Sequence, residues 1–141
     1  MTDLTLAKKT LQEAEYTCVL CKDGQIHTST QRGVKPLVLW LVSGEDFSGF
    51  SAADKVVGKA TAFLYVRLGA KAVYASVISK SALEVLRENG ICVEYGSLAE
   101  NIINRQGDGI CPFEAAVLEV RDSEAAYREI RRKMDELGIF L

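Results

Sequence analysis

Four cysteines and one histidine are the residues of this chain that packing explains least readily. Cys18 and Cys21 stand three apart in Cys-Val-Leu-Cys, a spacing that suits a zinc site or a redox pair. Their surroundings argue against both. The flanking residues read as a strand, where side chains alternate, so positions three apart point to opposite faces. No second Cys/His pair with ligand spacing follows, and His27 is the only histidine. Cys92, inside Ile-Cys-Val, reads as a small buried hydrophobe.

Cys111 differs. It precedes Pro112, and proline suits the first position of a helix, so the cysteine falls at or beside an N-cap. Backbone N–H groups and the positive helix end favour the thiolate there, although Glu114 in the first turn opposes them. Cys111 is therefore a candidate nucleophile; the alternative is a small residue closing a turn. Gly107-Asp108-Gly109 before it is too short for a phosphate loop, yet its glycines can turn N–H groups towards an anion. Asn104, Arg105, Asp108 and Gly109 are the candidate ligand-binding residues of this loop, with an ordinary solvated turn as the alternative.

The elements that must position these residues follow from periodicity. Leu4, Ala7, Leu11 and Ala14 have helical spacing, with Thr2 or Asp3 as cap. Asp23-Gly24 between two β-like runs predicts a hairpin over Tyr16 to Thr30. Pro36 to Val42 fits a strand by composition and a helix by its proline and by Gly44; the helix is preferred. Ser51 to Leu68 reads as one long buried helix closed by Gly69, with Ser51 and Asp54 as a capping box and Lys55 and Lys59 on one face. Ala72 to Ile78 reads as a strand, Ser81 to Asn89 as a helix with Ser81 and Glu84 as capping box, and Ile91 to Tyr95 as a second strand. That order implies a right-handed crossover and a parallel pair, hence a layered α/β domain. A short helix over Leu98 to Ile103 and a last helix from Ser123 to Leu137, capped by Asp122, complete the pattern.

The 141 residues suit one domain, 1–141, and 48% hydrophobic against 26% charged residues is ordinary for a chain with a real core. A net charge of −2, with Lys and Arg dispersed, leaves no basic face for nucleic acid. The longest apolar run, Leu37 to Val42, is too short to span a bilayer, and the N-terminus lacks a signal-peptide pattern. The expected location is the cytoplasm, with reduced thiols. A small-molecule ligand is the expected partner. Homo-oligomerisation stays open.

Two segments, Asp54-Lys55-Val56-Val57-Gly58-Lys59-Ala60 and Asn104-Arg105-x-Gly107-Asp108-Gly109-Ile110-Cys111-Pro112-x-Glu114, resemble the family called domain of unknown function 1893. The resemblance implies a cytidine-deaminase-like fold: an α/β, three-layer α/β/α sandwich with a mixed sheet. Zinc deaminases carry His-x-Glu at the start of one core helix and Pro-Cys-x-x-Cys at the start of the next. Here Ser51-Ala52-Ala53-Asp54-Lys55 and Ser79-Lys80-Ser81-Ala82 supply neither set. The expectation is a site without zinc or other cofactor, unable to perform ordinary nucleoside deamination. Asp54 and Lys55 are expected to line the vacated pocket, with the Gly-Asp-Gly-Ile-Cys loop closing over it.

Two function classes follow. In a cysteine-dependent enzyme acting on a small nucleotide-like or anionic molecule, Cys111 is the nucleophile and Asp54 positions or deprotonates a group. Lys55 or Arg105 then binds the anionic part. The alternative is a non-catalytic ligand-binding or regulatory module; an assembly role is a third possibility that the sequence does not test.

Overall fold

The computed structural model describes residues 2–31, 33–102, 107 and 109–141. The chain begins with helix α1 (Asp3–Glu13), whose first turn is capped by the Thr2 hydroxyl accepting from the Thr5 N–H. A hairpin follows, β1 (Cys18–Lys22) and β2 (Gln25–Ser29). Its turn residues Asp23 and Gly24 have φ of 51° and 83°, the pair of positive angles that lets a two-residue turn match strand twist. The ambiguous segment is helix α2 (Lys35–Val42), with Pro36 in its first turn, where a missing N–H costs nothing.

Ser51 to Leu68 is not one helix. It is strand β3 (Ser51–Val57), a break at Gly58, and helix α3 (Lys59–Leu68). The alanines of Ser-Ala-Ala-Asp-Lys-Val-Val favour a helix locally, but β3 pairs on both sides, with β1 and with the next strand. A strand covered on both faces has no polar alternation to reveal it, and tertiary pairing overrides propensity. Asp54 is thus a mid-sheet residue and caps no helix, and Lys55 and Lys59 share no helical face.

Strand β4 (Ala72–Ser79) leads into helix α4 (Lys80–Glu88), and strand β5 (Cys92–Ala99) follows. The α4 cap is Ser79, whose hydroxyl accepts from the Ala82 N–H, so Ser81 and Glu84 form no capping box. Strand β5 runs through Leu98, where a helix is expected from the sequence. Being the outermost strand, it leaves Cys92 exposed, not buried. Helix α5 (Pro112–Ala116) and helix α6 (Ser123–Glu136) close the chain, the latter capped by Asp122 as expected.

The five strands lie in the order β2-β1-β3-β4-β5, antiparallel across β2-β1-β3 and parallel across β3-β4-β5. Alternation along each strand divides the interior in two. Val19, Cys21, Ala53 and Tyr74 face α1 through Ala7 and Leu11. Cys18, Leu20, Ala52, Val73 and Ala75 face the larger core built with α2, α3 and α4, against which α6 lays Ala126, Ile130 and Met134. This is a three-layer α/β/α arrangement around a mixed sheet, as the sequence led us to expect. Among the described residues no helix is long and apolar enough to cross a membrane.

Helix α3 has no capping side chain of its own, because residue 58 is glycine. Its open N–H groups are instead satisfied from α5. The Glu114 carboxylate accepts from the Lys59 N–H at 2.8 Å and the Ala60 N–H at 3.0 Å. An anion at the positive helix end meets both the unpaired donors and the dipole. Gly58 is required by this contact and not by its ordinary backbone angles: a Cβ there would lie 2.5 Å from Glu114 Oε1. Gly58→Ala is expected to force the carboxylate off its donors and cost about 1.5–3 kcal/mol in denaturant unfolding, the range for a hydrogen bond to a charged group. A variant as stable as the parent would show that the clamp contributes nothing.

Candidate functional site

A cavity of about 400 Å³ opens where β3 passes into α3. Its walls are largely apolar, from Val34, Pro36, Val56, Ile102 and Phe113, with Thr17, Gln31, Asp54, Lys55, Thr61, Cys111 and Glu114 among the polar features. Three residues singled out from the sequence therefore share one cavity: Asp54, Lys55 and Cys111. Gly109 is exposed and does not line it. Asn104, Arg105 and Asp108 lie outside the described residues.

Asp54 sits at the buried end. Strand alternation turns Ala53 towards α1 and Asp54 towards α3, beneath Tyr65. The Tyr65 hydroxyl donates to Asp54 Oδ2 at 2.7 Å, and the Val56 N–H donates to Oδ1 at 3.3 Å. Behind Tyr65, the Cys18 sulfur lies 3.0 Å from the same hydroxyl. A tyrosine has one proton to give, and it goes to the carboxylate; the Cys18 thiol is then the donor to the phenolic oxygen. The directions of proton affinity agree. Burial pushes the Asp54 carboxyl up to about 6, against the opposing pull of the bonds from Tyr65 and Val56. Burial, with the adjacent Asp54 charge, pushes both the Cys18 thiol and the Tyr65 hydroxyl well up, so each keeps its proton at neutral pH.

Cys111 is the N-cap of α5, with its own N–H donating to the Ile102 carbonyl at 3.0 Å and no capping bond from its side chain. It is half-buried in the cavity wall. Glu114, which the sequence placed near it as an opposing charge, is committed to the start of α3. Lys55 is exposed at the rim, while Lys59 reaches instead to the Leu118 carbonyl at 2.9 Å. His27 lies elsewhere, in a separate small cavity with Glu45 and Phe47, so no imidazole joins the Cys111 site. Cys18 and Cys21 do face opposite sides of the sheet, Cys21 lying 3.8 Å from Asp3.

The donors do not suit a deaminase's zinc. Both Glu114 oxygens are held by backbone N–H groups, both Asp54 oxygens accept internal bonds, and the Cys18 thiol keeps its proton. Among the described residues no group of three His, Cys, Asp or Glu converges on a point. With the helix beginning at Lys59, the residues at its start are Gly58-Lys59-Ala60, again without His or Glu.

Sequence reasoning missed Tyr65 and treated Cys18 as packing alone. The available signal was a tyrosine within a largely apolar helix: a buried phenol needs a polar partner, and Asp54 is the nearest buried carboxylate in sequence.

Fold and site together define a mixed-sheet α/β/α domain with a carboxylate cavity at a strand-to-helix junction. The model of the TM1506 family, a domain of unknown function (DUF1893), matches residues 6–134, and the chain belongs to that family. It is similar to the crystal structure of a DUF1893 family protein (TM1506) from Thermotoga maritima, with 29% identity over 96% of this chain and 91% of that one, and a TM-score of 0.81. A weaker likeness links it to the apo dCMP deaminase of cyanophage S-TIM5: 18% identity, 65% of this chain, 92% of that one, TM-score 0.45. Another is to a Thermotoga maritima diaminohydroxyphosphoribosylaminopyrimidine deaminase/5-amino-6-(5-phosphoribosylamino)uracil reductase: 21% identity, 56% of this chain, 28% of that one, TM-score 0.42. No curated protein matches the chain.

The raised Asp54 affinity has a consequence for stability. Unfolded, the carboxyl titrates at its ordinary value near 3.8; folded, at about 6. The native state holds the proton more tightly, so stability falls as pH rises between these values and the penalty is complete above about 6. A displacement of that size corresponds to about 2–3 kcal/mol. Asp54→Asn keeps the shape without the charge. Relative to its value near pH 4, the variant's stability advantage over the parent is expected to grow by about that amount at pH 7, in urea unfolding across pH. A difference between the two proteins that does not vary with pH would contradict this.

Proposed function

We propose that the cavity is a small-molecule site of a cysteine-dependent enzyme, with Cys111 as nucleophile and Asp54 as proton acceptor. The observation that carries this reading is the buried Asp54 carboxylate opening onto the same cavity as the thiol. Its proton affinity lies near 6. A general base works best when it titrates close to the operating pH, and burial is the usual means of raising a carboxyl to that range. The volume of about 400 Å³ falls within the span of ligand pockets. The apolar walls accept a ring-sized body, and Lys55 at the rim offers charge to an anionic portion. A small nucleotide-like or anionic molecule fits both features. In the reaction the Cys111 sulfur bonds to an electrophilic carbon and its proton passes to the Asp54 carboxylate. The π bond between that carbon and its heteroatom opens, and its electron pair moves onto the heteroatom of the ligand.

One fact favours a second reading, a binding module without chemistry. His27 lines another cavity, so Cys111 lacks the imidazole partner usual for cysteine nucleophiles.

Iodoacetamide alkylation separates the two readings without a known substrate. Peptide mass spectrometry follows Cys111, and the exposed Cys92 serves as internal reference. In the parent the Cys111 rate is expected to rise through pH 6 as Asp54 ionises. In Asp54→Asn it should lose that rise and fall by about tenfold or more at pH 7, while Cys92 is unchanged. Equal Cys111 rates in the two proteins would remove Asp54 as a base and leave the binding module.

A further inference from the structure

We propose that Tyr65 is the positioning residue of this site: with Cys18 behind it, its hydroxyl fixes the Asp54 carboxylate so that the remaining lone pairs serve the cavity. The proposal rests on the reading of Asp54 as proton acceptor and adds two residues to it.

The geometry distinguishes this from simple filling of the core. Phenylalanine would fill the volume of Tyr65; the hydroxyl adds a proton directed at Asp54 Oδ2, 2.7 Å away, the shorter of its two contacts. The oxygen it leaves is occupied by the Cys18 thiol at 3.0 Å. Tyr65 is 0% exposed and Cys18 2%, so neither bond is shared with water. The carboxylate is therefore held at both oxygens, by Tyr65 at one and by the Val56 N–H at the other. Two such bonds fix the plane of the group, and a proton acceptor whose orientation is set beforehand loses nothing to reorganisation when a ligand arrives. Cys18 contributes at one remove. A donor into the phenolic oxygen polarises the O–H and strengthens the bond beyond it.

Other ionisable groups around Asp54 are few. Among the described residues they are Cys18 from β1, Tyr65 from α3, Lys55 beside it on β3, and Cys111 and Glu114 across the cavity. Its register partner on β4 is Ala75, and α1 lies on the opposite face of the sheet. Both Glu114 oxygens accept from N–H groups of α3. Tyr65 makes the short side-chain bond to the carboxylate, at 2.7 Å, and the Cys18 thiol beside it also favours the ionised form.

Carbon-13 NMR of the Asp54 carboxyl, titrated in the parent, Tyr65→Phe and Cys18→Ala, tests this. Loss of a donor that favours the ionised form should raise the midpoint by about one pH unit in Tyr65→Phe. Cys18→Ala should raise it by less. In the parent, the Tyr65 hydroxyl proton should exchange slowly with solvent and its shift should follow the Asp54 titration. That measurement stands even if Tyr65→Phe fails to fold. An unmoved or lowered midpoint in Tyr65→Phe, or a hydroxyl that exchanges as fast as a surface tyrosine, overturns the proposal. A midpoint that moves as expected while Cys111 alkylation ignores Asp54 would leave Tyr65 in place and remove the enzyme reading.

Discussion

The contact of Glu114 with the start of α3 decides where everything else in the site can be. Helix α3 is buried along most of its length, and its first N–H groups point into the packed junction with α5, the Lys59 N–H part-buried and the Ala60 N–H buried. They require an acceptor, and the chain supplies one from a segment 54 and 55 residues away. Once Glu114 is seated, α5 is anchored beside the β3–α3 junction, and Cys111, three residues earlier, is held in the wall of the cavity. Gly58 is the other half of the same device. Its missing Cβ is the space into which the carboxylate fits.

The second constraint is that an ionisable carboxyl lies beneath α3 at all. Its charge opposes folding over the neutral range, and the bonds from Tyr65 and Val56 recover only part of that cost. An asparagine in β3 would fill the same volume without a charge and keep one of these bonds through its single amide oxygen. Local cost without local structural return is the pattern expected where function sets the residue. The surrounding core is well suited to isolating it: Leu37, Leu64 and Ile78 are fully buried in the same cluster.

Much of this was legible in the residues, for reasons that differ by element. Asp23-Gly24 names its own turn, because few residues adopt positive φ. Asp122 at the start of α6 and Pro112 at the start of α5 mark helix ends by hydrogen-bonding chemistry that is local. The family emerged from two motifs, and described residues of each line the later cavity. What local pattern could not give was β3. Alanines and a correctly spaced serine and aspartate imitate a capped helix, and only pairing with β1 and β4, made by residues distant in sequence, turns them into a strand. Asp54 was named for its motif, but its role as a cap was mistaken for the same reason. Cys92 failed likewise: Ile-Cys-Val reads as interior, yet the strand lies at the sheet's edge. Cys18 shows the converse. Alternation correctly split it from Cys21, but its neighbour Tyr65 is 47 residues on and invisible to spacing.

The arrangement of charge gives the cavity a direction. The positive end of α3, the natural place for an external anion, is already filled by Glu114. The buried end carries the Asp54 carboxylate, and the exposed rim carries Lys55. On the proposed reading, an anionic group cannot enter the interior without meeting a carboxylate of its own sign in a poorly screened environment, where such repulsion is strongest. It is retained at the rim beside Lys55. The part of the ligand that travels inward is then the uncharged, ring-sized portion, able to present a hydrogen-bond donor to Asp54. Cys111 lies on the wall that this portion passes, so the same polarity that orients the ligand brings its reactive carbon, and not its anion, alongside the thiol.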